Sequence, residues 1–192
     1  MMKSSSLLSS LLTPIKAINP LHFSRALFRA FLLVSVTINH GSKYAIDGKT
    51  TIGDLTTSSQ MELNEKLTPI SHEVASREGT IRVKVASPLS ELQTVVRGET
   101  SSADFRFPDG GIILDNNFFH HYLILLYRFQ AGEKNFPVFV PQDMSIGTAT
   151  VRSTGPRTYD LEVGDVKMQA TTDADGSLIK LTVPSANVVV ER

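Results

Sequence analysis

The chain has 192 residues, 41% of them apolar, a formal net charge of zero and no cysteine. That length supports one sizeable core, and the charge balance gives no global attraction to nucleic acid or to an anionic bilayer. The missing thiols exclude disulfides, thiolate catalysis and cysteine-ligated metals.

The charge is unevenly placed. Up to Ile46 the chain carries Lys3, Lys16, Arg25, Arg29 and Lys43 but no acid, and Asp47 is the first carboxylate. Residues 1–43 therefore read as a basic, Ser- and Leu-rich leader, with Arg25 and Arg29 ahead of an apolar run from Ala30 to Ile38. The run is shorter than the roughly 20 residues a spanning helix needs, so no integral membrane span is expected. Ser35 and Thr37 dilute it, and Ser42 to Ala45 is the nearest approach to a cleavage site. Export to an extracytoplasmic compartment, such as a bacterial periplasm or envelope, is the expectation. A mis-assigned start codon and an organellar transit peptide are the alternatives.

From Tyr44 to Arg192 turn signals recur about every ten residues, the spacing of an antiparallel meander in a single β-rich domain. Ile81, Val83 and Val85 alternate with Arg82 and Lys84, predicting a half-buried strand that stops at Ser87-Pro88. Leu92 to Val96 reads as its partner, closed by Arg97-Gly98. Phe105 and Phe107 flank Arg106 ahead of the turn signal Pro108-Asp109-Gly110-Gly111, and Ile112 to Leu114 reads as a further strand.

Asn116 to Phe129 is the place where helix competes with strand. The run outlasts the usual strand, follows a capping residue in Asp115 and stops before Ala131-Gly132, so a helix is predicted. Phe118, Tyr122, Leu125 and Phe129 then share one face and Phe119, Leu123 and Leu126 the next, leaving a narrow polar edge near Arg128. A helix so apolar must be enclosed.

Phe136 to Pro141 is extended because each proline disfavours helix in its predecessor, and Pro137 suggests an edge position. Thr148 to Arg152, Tyr159 to Val163, Val166 to Thr171, Leu178 to Val183 and Asn187 to Val190 complete the strands, with Gly164-Asp165 and Asp173 to Ser177 as turns.

Motifs with chemistry are weak. His120-His121 invites a metal, but neighbouring residues on a helix diverge by about 100°, so the two rings cannot readily share one ion. Asp173-Ala174-Asp175-Gly176 matches part of a calcium loop, yet Thr171 and Thr182 stand where its outer acids belong, and a hairpin turn is the simpler reading. There is no Gly-x-Ser-x-Gly elbow, phosphate loop or dinucleotide fingerprint. No catalytic residue, cofactor, metal or nucleic-acid partner is expected.

Three phrases together carry a resemblance: Ile113 to Tyr122, Phe136 to Gln142, and Asp175 to Pro184. They are similar to an uncharacterised β-rich bacterial domain associated with exported proteins and with the region preceding some α/β-hydrolase domains. A more distant architectural likeness is to periplasmic half-barrels of the lipoprotein-carrier kind, in which a curved sheet wraps an apolar cavity. The resemblance implies no catalytic residue.

The expectation is therefore a mainly β (α+β) fold, a strongly curved antiparallel sheet or open barrel with one buried helix against its concave face. Its function is read as a non-enzymatic extracytoplasmic binding or scaffold module, holding a hydrophobic or lipid-like ligand near Phe118, His121, Tyr122 and Leu125. The alternatives are a helix that fills the interior, an accessory domain of a hydrolase partner, and an enzyme in which His120 or His121 meets a carboxylate such as Asp115 or Asp143.

Overall fold

A computed structural model of the chain describes residues 31–39, 43–52, 54–115 and 118–191. The leader up to Ala30, Ser42 of the suggested cleavage segment, and Asn116-Asn117 at the expected helix start lie outside the described residues.

The fold is mainly β, with a strongly curled half-barrel sheet, a second antiparallel sheet and a single α-helix among the described residues. The first sheet runs in chain order through β1 (Phe31–Asn39), β2 (Lys43–Ile52), β3 (Leu55–Asn64), β4 (Pro69–Ser76), β5 (Gly79–Lys84), β6 (Ser90–Val96) and β7 (Glu99–Phe105). β1 pairs with β2 from Phe31↔Thr51 to Asn39↔Lys43, so this sheet extends into residues that the sequence assigns to the leader. The expected strands around Val83 and Leu92 are partners, with those two residues opposite one another. Arg97 and Gly98 close the β6–β7 hairpin with φ of 52° and 84°, the two positive values of a tight hairpin turn whose twist matches its strands.

After β7 the chain changes sheet. The Pro108 to Gly111 turn is present, Gly111 N–H donating to the Pro108 carbonyl at 2.8 Å, but β8 (Ile112–Ile113) does not fold back on β7. It pairs in parallel with β9 (Asn135–Val140) at the rim of a second sheet. Aromatic packing holds this corner: Phe105 stacks on Phe139 with centroids 4.3 Å apart, and Phe107 meets the same ring at 6.0 Å. Antiparallel pairing continues through β10 (Ser145–Gly155), β11 (Thr158–Val163), β12 (Val166–Thr172), β13 (Leu178–Val183) and β14 (Val188–Glu191), and β14 approaches β1. Pro137 is not on an edge strand, because β8 lies outside β9. The two-residue β8 reaches Val138 and Phe139 only, so its ladder begins beyond the residue that has no N–H.

The helix is shorter than predicted. Phe119–His121 form a 3-10 turn and α1 spans Tyr122–Gln130. Asp115 does not cap α1; its carbonyl accepts the Phe118 N–H at 3.1 Å, and His121 stands at the cap without a side-chain bond to the helix backbone. The polar edge expected near Arg128 is also buried. Arg128 is 7% exposed, its Nε and Nη2 on the Glu133 carboxylate and its guanidinium 5.5 Å from the Phe136 ring centroid. Leu125, Leu126, Phe136, Phe139, Met61 and Leu63 pack into one core, each 0 or 1% exposed. Burial of such side chains contributes on the order of 1.5–3 kcal/mol apiece. Among the described residues no helix is long and apolar enough to cross a membrane.

Candidate functional site

Strand alternation gives the first sheet two chemically different faces. Ile46, Met61, His72, Val83 and Leu92 lie in one register row across β2–β6, and all are buried. His72 thus occupies a core position. In the next inward row Gly48 and Ser59 are opposite one another, with Val74 beyond, and these small residues leave a recess.

The 3-10 turn fills that recess with imidazole. The His120 ring lies directly over Gly48, where a methyl group would collide with Cε1, Nε2 and Nδ1. His121 reaches Ser59: its Nε2 is 3.2 Å from Oγ, and the same Oγ is 3.2 Å from Nε2 of His72. The His72 and His121 rings meet edge to face at 4.9 Å, His120 and His121 at 4.5 Å, and Phe118 stacks on His121 at 5.6 Å. His120 and His121 are 0% exposed, His72 and Ser59 1%.

One hydrogen bond orders the network. The Asp115 main-chain N–H can only donate, and it donates to Nδ1 of His121 at 3.2 Å. The proton of neutral His121 therefore sits on Nε2 and is donated to Ser59 Oγ. Nε2 of His72 meets the same hydroxyl, and its Nδ1 has no partner among the described residues. Both ring nitrogens of His120 are likewise without a partner there.

Burial favours the neutral rings. It pushes the His72 pKa down to about 3, with a lesser effect from His120, and the His120 pKa down to about 4. His121 is held well below the ordinary value by burial and then by His120 and His72. Tyr122 is pushed up to about 12 by burial and by the charge of Asp115.

This arrangement suits packing better than reaction. A Ser59 nucleophile would need a base, but Nε2 of His121 already carries its proton, and His72 is held too acidic for effective proton abstraction near neutrality. His121 meets the Asp115 main chain where an enzymatic reading expects a carboxylate. The rings also spread over three strands, His120 above β2, His121 above β3 and His72 on β4, with neighbouring strands about 4.8 Å apart. Among the described residues no group of three or more His, Cys, Asp or Glu side chains is placed to hold a metal ion.

The polar face of the same sheet is open. A cavity of about 670 Å³ spans β2–β6, within the roughly 300–1,000 Å³ typical of ligand sites. Asp47, Gln60, Glu73, Arg82 and Gln93 form one register row of its lining. Glu62, Ser71, Lys84 and Glu91 form the next. Arg82 donates to Glu73 at 2.6 Å and to Gln93 at 3.3 Å, so one guanidinium orients two side chains.

Comparison with protein-family models, curated proteins and solved structures finds no match. Function therefore rests on the geometry. Phe118, His121, Tyr122 and Leu125, the residues expected beside a ligand, are 0, 0, 6 and 0% exposed and pack together in the interior. They line neither the large cavity nor a second one of about 30 Å³ at Leu92, Ala103, Pro141 and Met144. Ser59 escaped the sequence reading, and His72, Glu62 and Glu73 have no spacing there that marks a site, the carboxylates reading simply as a solvated face. Strand parity would have found them, since His72 alternates with Ser71 and Glu73 and falls in phase with Val74. The Asp173 segment is a turn: Oδ1 of Asp173 accepts the N–H groups of Asp175 and Ser177 at 3.0 and 2.9 Å.

Proposed function

We propose that this protein is a non-enzymatic binding or scaffold module of an extracytoplasmic envelope, and that its ligand occupies the polar cleft across β2–β6. The cleft carries this reading: it is of ligand size, and its two rows of carboxylates, amides and cations are held in register by five paired strands. Asp47, Glu62, Glu73 and Glu91 outnumber Arg82 and Lys84, and Gln60 and Gln93 add neutral donors and acceptors. A small hydroxyl- or amine-bearing ligand, neutral or cationic, matches that lining. A lipid-like ligand beside Tyr122 is disfavoured because the four interior side chains are already covered by protein.

The test is a panel of polyols, neutral and amino sugars and polyamines, read by amide chemical-shift perturbation on the intact protein. Perturbations confined to β2–β6 and lost in an Arg82→Ala/Gln93→Ala variant support the cleft. Native mass spectrometry supplies the opposing outcome: a lipid that co-purifies from detergent-free preparations, and is retained by that variant, overturns it.

A further inference from the structure

The histidine cluster joins two parts of the molecule that are otherwise far apart in the chain. His72 belongs to β4, whereas His120 and His121 form the turn that leads into α1. His121 contacts both of the other rings, at 4.5 and 4.9 Å, so a proton added to any one of the three sets a charge against another imidazole. His121 accepts the Asp115 N–H on Nδ1, which an imidazolium cannot do. His72 meets Ser59 Oγ through Nε2 at 3.2 Å. His120 is pressed on Gly48 with no partner for either nitrogen among the described residues, and so offers nothing to stabilise an added proton.

We propose that these three imidazoles form an acid-operated latch: while neutral they hold the 3-10 turn that leads into α1 on β2–β4, and their protonation releases that turn and uncovers the apolar interior.

The groups facing the cluster do little to oppose release. β2 presents Ile46, Gly48 and Thr50, β3 presents Ser59 and Met61, and β4 presents Val74, all uncharged. On the helix side stand Asp115 and Tyr122. Asp115 acts on Tyr122, which stays protonated well above neutrality, and one carboxylate cannot offset imidazolium charge on three rings, two of them within 5 Å of the third. Asp47 and Glu73 alternate onto the opposite face of the sheet, where they line the cleft.

The sign follows from linkage. A histidine whose closed-state pKa is depressed binds its proton mainly after release, so the closed state is unaffected above about pH 6.5 and is weakened as pH falls below it. With closed-state values of about 3 for His72 and 4 for His120, each raises the opening constant about tenfold between pH 7.5 and 5.5. The pair gives about a hundredfold, and His121 acts in the same direction.

Hydrogen exchange on the full chain at pH 7.5, 6.5, 5.5 and 4.5, corrected for intrinsic rates, tests this. The expected result is a rise of about a hundredfold in the opening of the Phe118 and His121 amides, which bond within the turn, by pH 5.5, with β11–β12 still protected, and a reversible gain in binding of an apolar fluorescent dye. Simultaneous loss of protection in all strands, or no change above pH 4.5, overturns the latch. His120→Phe should keep the ring packing and move the release to lower pH; an unmoved midpoint counts against the proposal. Should that variant not fold, ring-proton NMR of the unaltered protein decides. Cluster imidazoles that stay neutral until the 3-10 turn opens support the latch, and rings that titrate near pH 6.5 while the turn remains protected refute it.

Discussion

Gly48 is the residue on which the interior turns. Its missing side chain lets the His120 ring lie on β2, and a Cβ there would overlap three ring atoms. Gly48→Ala should therefore destabilise the fold by about 1–3 kcal/mol, the usual cost of overpacking, measured by denaturant unfolding. Combining it with His120→Ala should recover part of that loss, giving a coupling energy that a mere change in strand propensity would not produce. Ser59 makes a complementary case. Ser59→Ala removes the acceptor of the His121 Nε2 proton and the partner of His72 Nε2, leaving buried polar atoms unsatisfied at about 1–3 kcal/mol. An unchanged unfolding midpoint would show that the hydroxyl is not needed. Neither position was legible in the sequence as part of a site, because a glycine and a serine in a polar strand look like ordinary surface residues until register places them under two histidines from elsewhere in the chain.

At the scale of elements, the strands were the most readable. Alternation at Ile81 to Lys84 and the turns at Arg97-Gly98 and Gly164-Asp165 predict boundaries within about two residues of those observed, since period-two burial and positive-φ turns are both local properties. Helix against strand at Tyr122 was decided by length, another local property. What could not be read was the helix start. A capping residue at Asp115 competes with the need of Phe118, His120 and His121 to bury their rings, and a tight 3-10 turn meets that need where a longer α-helix with an Asp115 cap does not form. Tertiary packing overrode the local preference. Leu125, 0% exposed on α1, is the element's anchor. Leu125→Ala should cost about 2–5 kcal/mol, visible as a lowered denaturation midpoint with the unfolding slope unchanged. A loss below about 1 kcal/mol, the range of a surface substitution, would mean that α1 is not packed as described.

At the scale of the whole molecule, the split into two sheets depends on contacts distant in sequence. The Pro108 to Gly111 signal fits a hairpin as well as a crossing; what sends the chain across is Phe139, which receives Phe105 and Phe107 from the far side of the turn. The same long-range register gives the first sheet a structural face and a polar, cleft-lining face, and the two should respond differently to substitution of adjacent residues. Val83 is 2% exposed in the row containing Met61 and His72, while Arg82 faces the cleft with its side chain 49% exposed. Val83→Ala deletes two buried carbon atoms and should cost about 1.5–3 kcal/mol. Arg82→Ala breaks a half-exposed pair with Glu73 at 2.6 Å, which solvent screens, so stability should change by no more than about 1 kcal/mol. Binding in the cleft should show the reverse order, lost in Arg82→Ala and kept in Val83→Ala at temperatures where both are folded. If instead Arg82→Ala unfolds the protein as readily as Val83→Ala, the polar row is part of the scaffold, and the separation of a packing face from a recognition face fails.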